Sequence, residues 1–156
     1  FVISDDTKPC VIYDIQMYFN NLLGGYSRWS DYKTINAIWR TILKRRVPLN
    51  HLIFIKVLES YAAQGDEPRM IAVFDIWMET CRSLTASSPV PSRRSSLNHA
   101  ADRDVEVQPL ICKPPDSLYV KRACESFRTA ASGVRASPTA FRRHVASVAP
   151  DLLERR

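Results

Sequence analysis

The apolar residues between Phe54 and Trp77 fall on two helical stripes with one turn between them. Residues at i, i+3, i+4 and i+7 share one face of an α-helix. Both stripes have this spacing, and their members are Phe54, Val57, Leu58, Tyr61, then Met70, Val73, Phe74 and Trp77. Between them, Gly65 can end one helix, Asp66 can cap the next and Pro68 is tolerated in a first turn. The pattern predicts an antiparallel helix pair.

The same pattern occurs 35 positions upstream, with all eight apolar positions matched in class and without a gap. The upstream members are Phe19, Leu22, Leu23, Tyr26, Ile35, Ile38, Trp39 and Ile42. Ser30, another small residue, stands at the position of Gly65. Because one hairpin cannot bury both of its faces, we interpret the match as two diverged copies of one unit. A chance likeness between two amphipathic hairpins is the alternative.

Two copies predict helices near residues 11–26, 31–46, 50–64 and 67–82, stacked as consecutive antiparallel pairs. Trp39 and Phe74 hold equivalent positions in the second helices. We expect both side chains to be buried between neighbouring hairpins.

The unit is a 35-residue helix-turn-helix with an aromatic residue at position four, a small turn residue and Phe or Trp in its second helix. A unit of this kind resembles the pentatricopeptide repeat (PPR). The copies would be residues 16–50 and 51–85, about half of the chain. The family usually has Ala where Ile35 and Met70 stand, and Pro-Asp where Leu49-Asn50 stands, so the chain resembles a divergent member. The tetratricopeptide repeat, a protein-binding solenoid with a period of about 34 residues, is the nearest alternative, but that period would break the match.

The resemblance implies an all-α fold, an α-solenoid of antiparallel helical hairpins. Residues 1–15 form an N-terminal segment in this interpretation, and residues 86–115, which hold five of the ten prolines, form a Pro/Ser-rich linker or insertion. Helical stripes resume in residues 116–156, with members Val120, Ala123, Cys124, Phe127, Phe141, Val145 and Val148. This last part is either a degenerate third repeat or a C-terminal helical cap, and we favour the cap.

The net positive charge of the chain comes mainly from residues outside the repeats. Residues 87–156 hold 12 Lys/Arg and 7 Asp/Glu, whereas residues 1–86 hold 10 and 9. A basic surplus of this kind suits an RNA phosphate backbone or another anionic surface and supplies affinity without sequence information. A solvated basic tail that keeps the chain in solution is the alternative.

Several function classes have no support in the sequence. No window approaches 18 consecutive apolar residues, so no membrane span is predicted. The four cysteines form no CxxC pair and have no metal-ligand spacing with the three histidines, which indicates reduced thiols and no metal site. No nucleophile elbow, phosphate-binding glycine loop or HExxH motif is present. We therefore predict a non-enzyme that needs no cofactor.

The PPR resemblance also implies positions that would read RNA. In this family the fifth and last residues of each unit hydrogen-bond one base edge, and the second residue packs against the base faces. The first copy has Asn20 and Asn50 around Met17, a polar pair that the family associates with pyrimidines. An amide offers both a donor and an acceptor to a base edge, and Met offers a polarizable face. The second copy has, at the same three positions, Ile55, Thr85 and Leu52, of which Ile55 cannot hydrogen-bond.

Cations at two places are candidates for RNA phosphate contacts. Lys44, Arg45 and Arg46 close the first unit, and Arg142 and Arg143 lie in the basic C-terminal part. For the first cluster, the alternative is that cations near a helix C-terminus complement the helix dipole, at about 0.3–1 kcal/mol each. Both roles can hold together.

The resemblance implies an organellar RNA-binding or ribosome-associated protein that acts in RNA maturation or translation without catalysis. Its expected location is the mitochondrial matrix, with the chloroplast as the alternative, and its expected partners are mitochondrial mRNA or rRNA within a larger ribonucleoprotein assembly. One base-reading pair discriminates by only about 1–3 kcal/mol, so the chain is part of a longer array or a subunit of an assembly. The alternative function is a protein-binding helical scaffold or a structural subunit of a large assembly such as a mitochondrial ribosome.

Overall fold

The computed structural model describes residues 9–87 and 112–153 as helices joined by short connections. In chain order, the elements are α1 (Pro9–Arg28), α2 (Tyr32–Lys44), α3 (His51–Gln64), α4 (Glu67–Ser87), α5 (Ser117–Ser126), α6 (Thr139–Val148) and a 3₁₀ helix (Pro150–Leu152). Within these two ranges there is no strand, only one isolated antiparallel bridge between Arg128 and Arg135. The predicted all-α class is confirmed.

The first four helices lie where the apolar stripes predict them, with differences of up to five residues at their ends. The largest difference is at α4, which continues to Ser87 and so takes the first two residues of the predicted linker. Most of that linker, residues 88–111, lies outside the described residues, as do residues 1–8 of the predicted N-terminal segment. No described helix is long and apolar enough to cross a membrane.

The turns of the two hairpins have the same hydrogen bonds at equivalent positions. Ser30 and Gly65 both adopt the left-handed conformation, with φ of 54° and 70°. In each turn the next residue, Asp31 or Asp66, donates its N–H to the tyrosine carbonyl five residues earlier, at 3.1 and 3.0 Å. Each aspartate then accepts, through Oδ1, the N–H of the residue three positions later, at 3.1 Å in both turns. These bonds satisfy some of the backbone groups that have no partner within the helices at each turn.

The core is a chain of aromatic rings that crosses from one helix pair to the next. Phe54 is fully buried and lies between Trp39, at 6.1 Å edge to face, and Trp77, at 5.4 Å and nearly parallel. Phe74 meets Phe141 of α6 edge to face at 5.9 Å. Trp39 and Phe74 are therefore buried, as predicted, and each contacts an aromatic ring of a later helix.

Helix α3 is the centre of the molecule and packs against α1, α2, α4 and α5. The first helices of the pairs are neighbours, because α1 contacts α3 and α3 contacts α5. Arg122 on α5 forms an ion pair with Glu59 on α3 at 3.1 Å. On the other side, α6 packs on α4, where Glu67 Oε2 accepts the N–H of Phe141 at 2.9 Å.

The two copies differ in burial on the outer face of α1. Phe19, Leu22 and Tyr26 are half-buried, whereas Phe54, Val57 and Tyr61 at the equivalent positions of α3 are buried. The difference follows from position, since α3 lies between two other first helices and α1 has a described first helix on one side only.

Candidate nucleic-acid interface

Asn20 and Met17 lie one turn apart on α1, and both side chains are half-buried. The Asn20 Oδ1 atom is shielded from solvent and has no hydrogen-bond partner among the described residues. An unsatisfied buried polar atom costs about 1–3 kcal/mol, and this amide oxygen has hydrogen-bonding capacity that no described residue uses. Asn21, the next residue, is exposed and has the same chemistry.

Lys56 of α3 brings a cation onto α1, one turn beyond Asn20. Its Cε and Nζ atoms both lie 3.9 Å from the place that a Cβ on Gly24 would occupy. The apolar pattern of the sequence did not single out Lys56. Within residues 9–87 and 112–153, Lys56 forms no ion pair, so its charge is available to an anionic ligand.

Asn50 occupies a different environment from Asn20. It is fully buried, and its Oδ1 accepts the Ile53 N–H at 3.0 Å as the N-cap of α3. Nearby, Gln16 of α1 donates from Nε2 to the Pro48 carbonyl at 3.0 Å, which ties the start of α1 to the segment before α3. The structure therefore gives Asn50 a structural role, whereas its base-reading role stays a prediction.

The side chains at the corresponding positions of the second copy are mostly unable to hydrogen-bond an RNA base. Ile55 is 8% exposed and belongs to the core, and Leu52 is half-buried. Thr85 is exposed on α4, where its hydroxyl donates to the carbonyls of Arg82 at 2.8 Å and Cys81 at 3.2 Å. Only the first copy offers an unsatisfied amide among these family-defined positions.

The predicted cation cluster at the end of α2 is exposed. Lys44 lies in the last turn of the helix, where a positive charge complements the helix dipole. Arg45 is the C-cap residue, and its backbone N–H bonds to the carbonyl of Thr41 at 2.9 Å. Arg46 has φ of 51°, a conformation that bulky side chains rarely adopt. The dipole role and the phosphate role are both compatible with this placement.

Arg142 and Arg143 are exposed neighbours on α6. Arg142 lines a groove of about 700 Å³ that also takes in residues of α5 and of the 3₁₀ helix. Two further cations, Lys121 and Arg135, line the same groove, and sequence reasoning did not single them out. Their only signal was the basic surplus of the C-terminal part. The groove therefore gathers three positive side chains from separate stretches of the chain.

A second groove, of about 520 Å³, is mainly apolar and lies beside α1 and the end of α2. Its lining consists of Val11, Asp14, Ile15, Tyr18, Phe19, Leu22, Thr41, Arg45 and Val47. Tyr18 is 61% exposed at this groove, which is a high value for an aromatic side chain. This surface has the composition of a protein-binding site rather than of a phosphate-binding one.

Titratable side chains in the described ranges form no cluster of three or more metal-ligating groups. The closest acid and base are Asp75 and His144, whose Oδ1 and Nε2 atoms are 2.6 Å apart at the surface. This contact joins α4 to α6 and is far along the chain from Asn20. Burial raises the pKa of the Cys124 thiol, which lines the larger groove, so this thiol is a poor nucleophile at neutral pH.

No protein-family model, curated protein or solved structure matches the chain. The interpretation of its function therefore depends on the internal repeat and on the chemistry of the surfaces described above.

Proposed function

We propose that the chain is a divergent PPR-type protein that binds single-stranded RNA and does not catalyse a reaction. The observation that carries the proposal is the placement of Asn20 and Lys56 on adjoining first helices. The Asn20 amide has spare hydrogen-bonding capacity and lies one helical turn before Gly24, which the Lys56 ammonium group reaches, and Lys56 forms no ion pair among the described residues. A base edge needs the first group, and a phosphate next to that base needs the second.

The proposed solenoid draws support from the turns and from the helix contacts. Two turns with matching hydrogen bonds 35 residues apart are what a duplicated hairpin produces. In a solenoid the first helices of successive units are neighbours, as α1, α3 and α5 are. In this proposal the pair α5 and α6 ends the stack as a cap, and a degenerate third repeat is the alternative.

In this proposal, different residues recognise the base and bind the phosphates. Asn20 hydrogen-bonds a base edge while Met17 packs against the base face. Lys56 and the exposed clusters at residues 44–46 and 142–143 displace counterions from phosphates and supply affinity that does not depend on sequence. Asn50 contributes indirectly, because its side chain caps α3, the helix that carries Lys56.

The setting of this activity is carried over from the family resemblance. We propose a mitochondrial matrix location, with the chloroplast as the alternative, and a role in RNA maturation or translation within a ribonucleoprotein assembly.

The test compares Asn20→Ala with Asn21→Ala, because these neighbours share chemistry and differ in burial. Fluorescence anisotropy with pyrimidine and purine oligonucleotides over a range of salt gives both the preference and the salt slope. Asn20→Ala is expected to reduce the preference by roughly 5- to 150-fold, the equivalent of about 1–3 kcal/mol, and to leave the slope unchanged. Asn21→Ala is expected to change neither quantity.

Lys56→Gln is the complementary variant. It is expected to weaken binding to all oligonucleotides and to reduce the salt slope by about 0.7, the value for one phosphate contact on a single strand. Full discrimination by the Asn20→Ala protein, or no RNA binding at low salt by the parent protein, would contradict the proposal.

A protein-binding scaffold, or a structural subunit of a large assembly such as a mitochondrial ribosome, is the second candidate function. The apolar groove with the exposed Tyr18 ring favours it. Under this alternative, Tyr18→Ser releases the protein from its native assembly, whereas Asn20→Ala and Lys56→Gln leave it bound. The same variants therefore distinguish the two functions.

A further inference from the structure

Two thiols from distant parts of the chain meet beside the core. The Sγ atoms of Cys81 and Cys112 are 3.7 Å apart, and Cys81 Sγ lies 3.5 Å from the Cys112 carbonyl oxygen. Cys81 is on α4, and Cys112 is in the non-helical stretch that leads into α5. Cys112 is almost fully buried and Cys81 is half-buried.

The segment that holds Cys112 is already fixed to α4 by a second contact. Trp77 Nε1 donates to the Lys113 carbonyl at 2.8 Å, and Tyr119 of α5 packs on the Trp77 ring with a centroid distance of 6.0 Å. These contacts hold the backbone around both cysteines in one arrangement. A bond between the two sulfurs requires them to approach from 3.7 Å to about 2.05 Å, a movement within reach of side-chain rotation.

We propose that Cys81 and Cys112 are an oxidation site, at which a small-molecule disulfide such as glutathione disulfide forms a reversible intrachain disulfide. The inference is independent of RNA binding. The bond joins α4 directly to the segment before α5 and closes the long connection between these helices.

The difference in burial sets the order of the two exchange steps. The more accessible Cys81 loses its proton and attacks one sulfur of glutathione disulfide, which forms a mixed disulfide and releases one glutathione thiolate. Cys112 then loses its proton and attacks the Cys81 sulfur, which releases the second glutathione. Two protein thiols are oxidised by two electrons in total, and one glutathione disulfide is reduced to two glutathione molecules.

The environment makes this reaction slow at neutral pH. Burial raises the pKa of both thiols, that of Cys112 to about 12, and the thiolate is the attacking species. While the pH stays below the pKa of the attacking thiol, the rate is expected to rise roughly tenfold per pH unit. The disulfide is therefore expected to form slowly at neutral pH, during prolonged exposure to glutathione disulfide.

The experiment uses the full chain with Cys10→Ser and Cys124→Ser, so that only the proposed pair remains. After incubation with glutathione disulfide, intact mass spectrometry is expected to show a loss of about 2 Da, the two hydrogens removed by one disulfide. Peptide mapping without reductant is expected to link Cys81 to Cys112. Dithiothreitol is expected to restore the original mass, and the oxidised protein is expected to melt several degrees higher than the reduced one.

A third substitution, Cys112→Ser, traps the first step and provides a second readout. This variant is expected to accumulate the mixed disulfide with glutathione at Cys81, because no thiol is present to resolve it. Circular dichroism of each variant verifies that it is folded. The proposal is overturned if the protein that retains Cys81 and Cys112 stops at a mixed disulfide, or if neither thiol reacts at a pH at which circular dichroism shows intact helices.

Discussion

Replacing Trp77 with Ala is the most severe test of the proposed core. Trp77 is fully buried, stacks on Phe54 at 5.4 Å with an interplanar angle of 3°, and lies 6.0 Å from the tilted Tyr119 ring. Its indole N–H also donates to the Lys113 carbonyl at 2.8 Å. The substitution therefore breaks contacts within the second helix pair and contacts that join this pair to α5 and to the segment before it.

The expected loss can be estimated from these contacts. Large aromatic to Ala changes in cores cost about 3–5 kcal/mol. A stacked aromatic pair adds about 0.5–1.5 kcal/mol to the burial term, and the lost hydrogen bond adds a similar amount. Since such terms overlap, we expect about 4–5 kcal/mol, a large share of the 5–15 kcal/mol typical of a domain. Trp77→Phe keeps a ring at this place and is expected to cost about 1–2 kcal/mol, mainly for the hydrogen bond.

Urea unfolding followed by far-ultraviolet circular dichroism measures these differences without dependence on tryptophan fluorescence. Trp29→Ala is the matched control, because Trp29 is 85% exposed and its removal is expected to change the free energy of unfolding by about 0.5 kcal/mol or less. If Trp77→Ala and Trp29→Ala unfold at the same urea concentration, the Trp77 contacts do not hold α3, α4 and α5 together and the packing argument fails.

Four further substitutions test local features by urea unfolding or, for Asp31, by acid unfolding. Gly65→Ala is expected to cost more than about 2 kcal/mol, because φ is 70° and the new Cβ would lie 2.3 Å from the Arg128 carbonyl oxygen, whereas Ser30→Gly at the equivalent turn is expected to be neutral or stabilising. Asp31 accepts hydrogen bonds from the hydroxyl and the backbone N–H of Thr34. These bonds, that of the hydroxyl most strongly, lower the Asp31 pKa below its usual 3.8. Its contribution to stability is present above pH 3.8 and is lost as the pH falls through the lowered pKa, so Asp31→Asn is expected to make acid unfolding less steep. Asn50→Ala is expected to cost about 1–2 kcal/mol without any RNA present, since it removes a buried N-cap.

Local signals in the sequence were sufficient to predict the first two helix pairs. A Gly at a helix end, an Asp after it and apolar residues at helical spacing act within a few residues of one another, and the structure places Gly65 and Asp66 accordingly. The N-cap role of Asn50 was also readable, because an amide stood directly before a helical stripe.

Contacts between distant segments left no local signal. Lys56 reaches Gly24 only because α1 and α3 pack side by side. The number of residues between Gly24 and Lys56 in the sequence does not predict this contact. In the same way, the Arg128 N–H bonds to the Ala62 carbonyl at 2.9 Å, which docks the loop after α5 onto the end of α3. The groove cations Lys121 and Arg135 were likewise visible in the sequence only as part of a general basic surplus.

Asn20 and Asn50 hold paired positions in the proposed repeat, but their surroundings in the structure differ. The Asn50 oxygen is engaged in capping α3, whereas the Asn20 oxygen has no partner among the described residues. If RNA binds here, one amide then reads one base edge and supplies about 1–3 kcal/mol of discrimination, which is too little to select one site among many. The surrounding cations add affinity for any sequence, because phosphate contacts carry no base information. Selection of a particular RNA therefore requires further contacts, from additional repeats or from partner proteins bound at the apolar groove around Tyr18.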